Sequence, residues 1–242
     1  MKIALQMYSV RDSISDAKSL MNALKKVKEI GYEGVELAGC FGADAGELRE
    51  CLKELGLTAV GCHESLRNID AGNIDEMLRF YQQVGVENFV CSYAPVSTKE
   101  ELEHLCTQME KVKAKAESLG MKVGYHNHSH EFKEADGIRP IEKIAACCPL
   151  ELDTYWSLIA GEDNKDFIRQ KREQIGLLHL KDGSVDGKPC AIGEGIADIQ
   201  AVLDAAKEIG SQWIIVENDN PTPDGFSDVR RSLEALKTRY TL

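Results

Sequence analysis

One short pattern returns along this chain and restricts its fold more than any other feature. A charged amphipathic stretch ends in an aliphatic residue and a glycine, and a β-rich run follows. Ile30-Gly31 precedes YEGVEL, Leu55-Gly56 precedes LTAVGC, and Val84-Gly85 precedes VENFVCS. Leu119-Gly120 precedes MKVGYH, Ile175-Gly176 precedes LLHL, and Ile209-Gly210 precedes SQWIIVEN. A glycine just past a helix can take the left-handed conformation that closes the last turn, and a short connection then feeds a strand. The β-runs are nearly continuously apolar, as expected of strands buried on both faces in a parallel sheet. Between them, DAKSLMNALKKVKEI sets Leu20, Leu24, Val27 and Ile30 at helical spacing with lysines opposite. TKEELEHLCTQMEKVKAKAESL repeats the arrangement behind a cap at Ser97 or Thr98, with His104 on a solvent or partner face.

Eight such β-runs begin near residues 3, 33, 58, 87, 121, 150, 176 and 212, and SDVRRSLEALKTRY supplies a helix after the eighth. Eight βα units in 242 residues match a closed (β/α)8 barrel of the α/β class. An open doubly wound sheet is the alternative, because periodicity does not report closure. No linker, low-complexity tract or charge block divides the chain, so residues 1–242 read as a single domain.

Composition narrows the function. Hydrophobic residues make up 43%, enough for a sizeable core, and the formal net charge is −11. Nucleic acid is not an expected partner, because phosphate neutralisation calls for a basic surface. Membrane spanning is not expected either, since no apolar segment approaches ~20 residues. MKIALQMYSVRD shows no secretory pattern, and the eight cysteines show neither CxxC nor zinc-finger spacing. They read as reduced thiols, several of them in the core, of a cytoplasmic protein.

In a βα barrel the chemistry collects at the C-terminal ends of the strands. Read in order, those ends offer Gln6, Tyr8 and Arg11; Glu36; His63 and Glu64; Ser92 and Tyr93; YHNH; Asp153; His179, Lys181 and Asp182; and Glu217. The last four ends supply His126 or His128, Asp153, His179 and Glu217. Nitrogen and carboxylate donors from four adjacent strands suit one divalent ion of the Mn, Zn, Co or Fe type better than calcium. Each residue has an ordinary explanation as a helix cap, turn residue or core histidine; the concentration at consecutive strand ends favours a site. VGYHNHSHEF places His126, His128 and His130 on alternate positions. If the strand persists, His126 and His128 point inward and His130 falls in the loop. AIGEGIAD lacks the third glycine and the leading strand of a dinucleotide fingerprint. It reads as a loop after the seventh strand, with Glu194 able to face the site.

Together LQMYSVRD, GYEGVEL, YHNHSHEF, ELDTYW, HLKDG and GEGIAD resemble the xylose-isomerase-like TIM-barrel superfamily, the sugar phosphate isomerase/epimerase group, over nearly the whole chain. The resemblance implies one divalent metal held by Asp153, His179 and Glu217. His126 stands where the superfamily usually carries a fifth-strand glutamate. In similar epimerases that glutamate is half of the acid/base pair, so standard two-glutamate epimerisation is in doubt here. An abasic-site endonuclease reading fits poorly, since Trp156 occupies the place of an expected histidine. The implied activity is a metal-dependent sugar isomerase or epimerase working by proton removal next to a carbonyl, through an enediolate. A keto-sugar or keto-inositol lyase or dehydratase with the same metal site is the alternative, and a non-catalytic sugar-binding barrel a third. Glu217 or His128 would act as base, and Lys181 would stabilise the oxyanion. Arg11, Glu36, His63, Trp156 and Glu194 would contact a small sugar or keto-sugar. No phosphate loop is evident, which points to an unphosphorylated substrate. Dimers and tetramers are common in similar proteins, which leaves a homo-oligomer open.

Overall fold

A computed structural model describes residues 1–134 and 136–242. Its eight parallel strands are Lys2–Gln6, Gly34–Leu37, Thr58–Ser65, Asn88–Tyr93, Lys122–His126, Leu150–Asp153, Ile175–Leu180 and Trp213–Val216. Each begins within one residue of its expected start. The first pairs with both the second and the eighth, which closes the barrel and excludes the open sheet.

The punctuation works as expected at five of six positions. Gly31, Gly56, Gly85, Gly120 and Gly210 all have φ between 61° and 112° and follow helices. Gly176 does not: it lies inside the seventh strand, and the preceding helix, Asn164–Gln170, has already ended. Asp16 and Thr98 cap the helices Ala17–Ile30 and Lys99–Ser118 in reciprocal boxes with Ser19 and Glu101. His104 faces solvent and meets Asp70 at 2.8 Å.

The period-two rule organises the barrel interior into layers. Ala4, Val60, Val90, Leu177, Trp213 and Ile215 form an apolar plug. Two residues further along their strands, Ala4 gives way to Gln6, Leu177 to His179 and Ile215 to Glu217, so a polar layer stands directly on the plug. Strand three needs a correction to stay in phase. The register with strand two slips between Val35 and Glu36, so Glu36 pairs with Gly61 rather than Val60. This bulge lets Val60 join the plug while His63, three residues on, joins the polar layer. The larger core lies between strands and helices and includes Tyr125, Phe89, Leu5 and Leu178.

Candidate active site

His126, Asp153, His179 and Glu217 come together at the ends of strands five to eight. All four are buried, and one donor atom from each lies within 4.8 Å of the others. His126 Nε2 stands 4.0 Å from Asp153 Oδ2 and 3.9 Å from Glu217 Oε2, and His179 Nδ1 stands 3.0 Å from Glu217 Oε2. Asp153 is both a cap and a candidate ligand. Its Oδ1 accepts from the N–H groups of Tyr155 and Trp156 at the start of the next helix, Thr154–Ile159. Its Oδ2 points into the group, where the Lys181 ammonium lies 2.9 Å away. Two imidazoles and two carboxylates, each offering a donor atom within 4.8 Å of the others, fit a divalent ion of borderline softness.

Lys181 balances this acidity. Its fully buried ammonium reaches Asp153 Oδ2 at 2.9 Å, Glu217 Oε2 at 2.8 Å and Asp219 Oδ2 at 2.8 Å. Burial would strip its proton, but the three carboxylates outweigh burial and hold its pKa well above the usual lysine value. For Glu217, burial opposes ionisation, and Lys181 and His179 reverse it, leaving the pKa well below the ordinary carboxylate range. Burial wins at His126, whose pKa falls well below the ordinary value.

Beneath the tetrad lies a second group. Glu36 Oε2 accepts from Gln6 Nε2 at 2.8 Å and meets His179 Nε2 at 2.6 Å. Glu151 Oε2 meets His63 Nε2 at 2.5 Å, His179 Nε2 at 3.1 Å and His126 Nδ1 at 3.2 Å. Burial would lower the His63 pKa, but the two glutamates raise it to about 10. Burial would raise that of Glu151; the imidazoles bring it down to about 2.

Above the tetrad opens a cavity of about 610 Å³. His63, His126, His128, Trp156 and Glu217 line it, as do Tyr8, Glu64, Asn68, Tyr93 and Asp219. His128 lies in the loop, because strand five ends at His126. Its backbone N–H donates to Glu131, which also accepts from Tyr125 and so anchors the loop. Burial, then the Lys181 charge, push the His128 pKa down to about 4, so the ring is neutral at pH 7. The Trp156 indole N–H is buried without a partner.

Three expected pocket residues are placed elsewhere. Glu36 is fully buried in the body of its strand, in register with Gln6, and lies below the cavity rather than on its wall. Glu194 is held by Arg231 at 2.8 Å in a separate surface depression. The loop carrying it is turned away by Asp182, whose carboxylate accepts from the N–H groups of Gly193, Gly195 and Ala197. Arg11 stays near the rim but donates to the backbone oxygens of Tyr8 and Asp219 and does not line the cavity. Glu151, Asp219 and Glu131 escaped the reading of strand ends. Glu151 stands two residues before Asp153 in the same strand and so shares its inward face, whereas Asp219 lies in the loop past strand eight and is placed by its contact with Lys181.

Comparison with known proteins agrees with this architecture. A family model described as xylose isomerase-like TIM barrel matches residues 24–239. An inosose dehydratase of Lacticaseibacillus casei is 26% identical over 149 residues, which takes in 51% of this chain and 49% of the relative. The chain thus spans about half the length of the curated relatives it matches. A sugar phosphate isomerase/epimerase from Parabacteroides distasonis superposes with a TM-score of 0.81 at 21% identity, covering 98% of this chain and 94% of that one. A structure of IOLI protein with a binding zinc atom superposes at 0.73 and 17% identity, covering 98% and 95%. At these identities the superpositions establish a shared fold.

Proposed function

The chain belongs to the xylose isomerase-like TIM barrel family, and on that basis we propose that it is a divalent-metal-dependent sugar isomerase or epimerase. It removes a proton next to the carbonyl of an unphosphorylated sugar or keto-sugar. The observation that carries this reading is the buried His126–Asp153–His179–Glu217 tetrad beneath a cavity whose wall presents a neutral imidazole, His128.

An ion of the Mn, Zn, Co or Fe type in the tetrad supplies a Lewis acid that polarises a carbonyl oxygen. His128 takes the proton. Lys181 lies between the tetrad and Asp219, where its fixed positive charge favours negative charge developing on the substrate oxygen. Trp156 offers a ring face to the sugar's C–H surface and an unpaired N–H to a hydroxyl. Among the described residues no lysine or arginine lines the cavity, while Glu64 and Asp219 do. This wall favours a neutral polyhydroxy compound over a phosphate ester.

Dehydration is the second reading, and a specific observation favours it. Epimerisation through two carboxylates places a base on each face of the substrate. Here Glu217 is engaged by Lys181 and His179, and His126 holds the place of the fifth-strand glutamate. A single base, His128, suffices for β-elimination, and the curated relative is an inosose dehydratase.

Elemental mass spectrometry of the purified protein, beside Asp153→Ala and Glu217→Ala, tests the metal. About one ion per chain, lost in both variants, is the expected result; a wild type that takes up no added metal removes the reading. A panel of keto-sugars in D₂O then tests the chemistry. Deuterium uptake with conserved product skeleton means isomerisation, and loss of water means dehydration. Metal without exchange on any sugar means a binding barrel.

A further inference from the structure

Glu36 and Glu151 lie too deep to touch a substrate, yet they make the closest contacts in the site. We propose that this carboxylate pair positions the two metal-binding imidazoles, selecting Nδ1 of His179 and Nε2 of His126 as the donor atoms. The proposal rests on the metal reading above.

A carboxylate only accepts hydrogen bonds, so with an ion in the tetrad a ring nitrogen held against a carboxylate outside the tetrad keeps its proton, while one facing a tetrad carboxylate gives its proton up to make room for the ion. His179 Nε2 stands 2.6 Å from Glu36 and 3.1 Å from Glu151, leaving Nδ1 toward Glu217 and the tetrad. His126 is held the other way round. Its Nδ1 meets Glu151 at 3.2 Å, leaving Nε2 toward Asp153 and Glu217. The two rings thus offer opposite nitrogens to one point, which a single tautomer preference shared by both rings would not arrange. Outer carboxylates of this kind orient metal-binding histidines and raise their basicity.

The pair is built in, not incidental. Glu36 and Glu151 are 0% and 1% exposed. Gln6 steadies Glu36, and a side-chain methyl at Gly61 would overlap Glu36 Oε1. His63 spans the pair from the cavity side, at 2.5 Å from Glu151 and 3.1 Å from Glu36. Both contacts come from one nitrogen, Nε2, so the ring ties the two carboxylates to each other.

Glu36→Gln and Glu151→Gln test the idea, with zinc affinity measured by chelator competition and imidazole tautomers by long-range proton–nitrogen NMR of the zinc-loaded protein. The expected results are a Kd raised roughly ten- to a hundredfold in each variant. Wild-type spectra should show His179 protonated at Nε2 and His126 at Nδ1, with the His126 pattern lost in Glu151→Gln. Wild-type zinc affinity in both variants, with unchanged tautomers, overturns the proposal while leaving the tetrad standing, since Asp153→Asn still loses zinc. A wild type that binds no zinc removes both readings. Should Glu36→Gln fail to fold, Gln6→Met removes the steadying N–H, together with the Oε1 that accepts from the Tyr8 N–H. A severalfold weaker zinc affinity is then expected, and no change overturns the role of Glu36.

Discussion

The ammonium of Lys181 stands 2.8 Å from Glu217 Oε2, and it touches Asp153 Oδ2 as well, between two ligands of the candidate metal tetrad. Two buried carboxylates this close need a cation. Removing one partner of a buried ion pair leaves uncompensated charge and costs about 3 kcal/mol or more. Lys181→Met should therefore lower the melting temperature in EDTA by about 6 to 12 °C, at roughly 2–4 °C per kcal/mol for a chain of this size. Added zinc should restore much of it. Thermal unfolding with and without metal checks both, and an unchanged Tm in EDTA would remove the charge-balancing role.

His128 and Trp156 should separate kinetically. His128→Ala should lower kcat by about a hundredfold or more with little change in KM, the signature of a lost general base. Trp156→Ala should act mainly on KM, because the proposed sugar contacts of its ring and N–H would be made before as well as during reaction. Steady-state kinetics on whichever sugar exchanges deuterium decides this.

Gly61 occupies the bulge that seats Glu36, and any Cβ there would collide with the carboxylate. Gly61→Ala should cost about 1–3 kcal/mol through overpacking. It should also weaken zinc binding by displacing Glu36. Chemical denaturation paired with metal titration reads the two effects separately.

The cysteines should be sluggish nucleophiles. All eight are free. Burial raises the Cys190 and Cys40 thiols to about 11 and that of Cys91 to about 12. A raised thiol pKa favours the neutral form, so thiolate at Cys190 amounts to roughly one part in a thousand at pH 8 and grows as pH rises toward 11. Alkylation of the native protein should be slow at pH 8 and accelerate about tenfold per pH unit. Fast labelling of Cys190 at neutral pH contradicts this.

Glu194→Ala should leave metal content and turnover within about twofold of wild type, because its carboxylate serves Arg231 on the outer surface. A large loss of activity would return Glu194 to the site.

The fold was legible because five of the eight strands follow a helix-closing glycine and the sixth follows Pro149, which leaves only the first and seventh without such a mark. The tetrad was legible because its members crowd the ends of four consecutive strands. The lower layer was not. Glu36 stands among the strand ends, but nothing in the sequence marks it as lying below the cavity rather than on its wall, and Glu151 comes before its strand end, although it shares the face of Asp153 by simple alternation. The slip at Gly61 that brings His63 inward has no sequence mark beyond a glycine in a strand. Glu194 misled for the opposite reason: its loop does follow strand seven, but Asp182 gathers three backbone N–H groups and turns that loop aside.

The cavity wall divides the rim into two kinds of territory. Strands five to eight contribute the tetrad, and their side chains are locked into it by shared protons and charges. Tyr8, Ala38, Gly39, Glu64, Asn68, Ser92 and Tyr93 line the facing side from the ends of strands one to four, and the tetrad uses none of them. Substitutions confined to those seven residues leave the tetrad and the layer beneath it in place. On this barrel the shape of the cavity can thus change without moving a single candidate ligand.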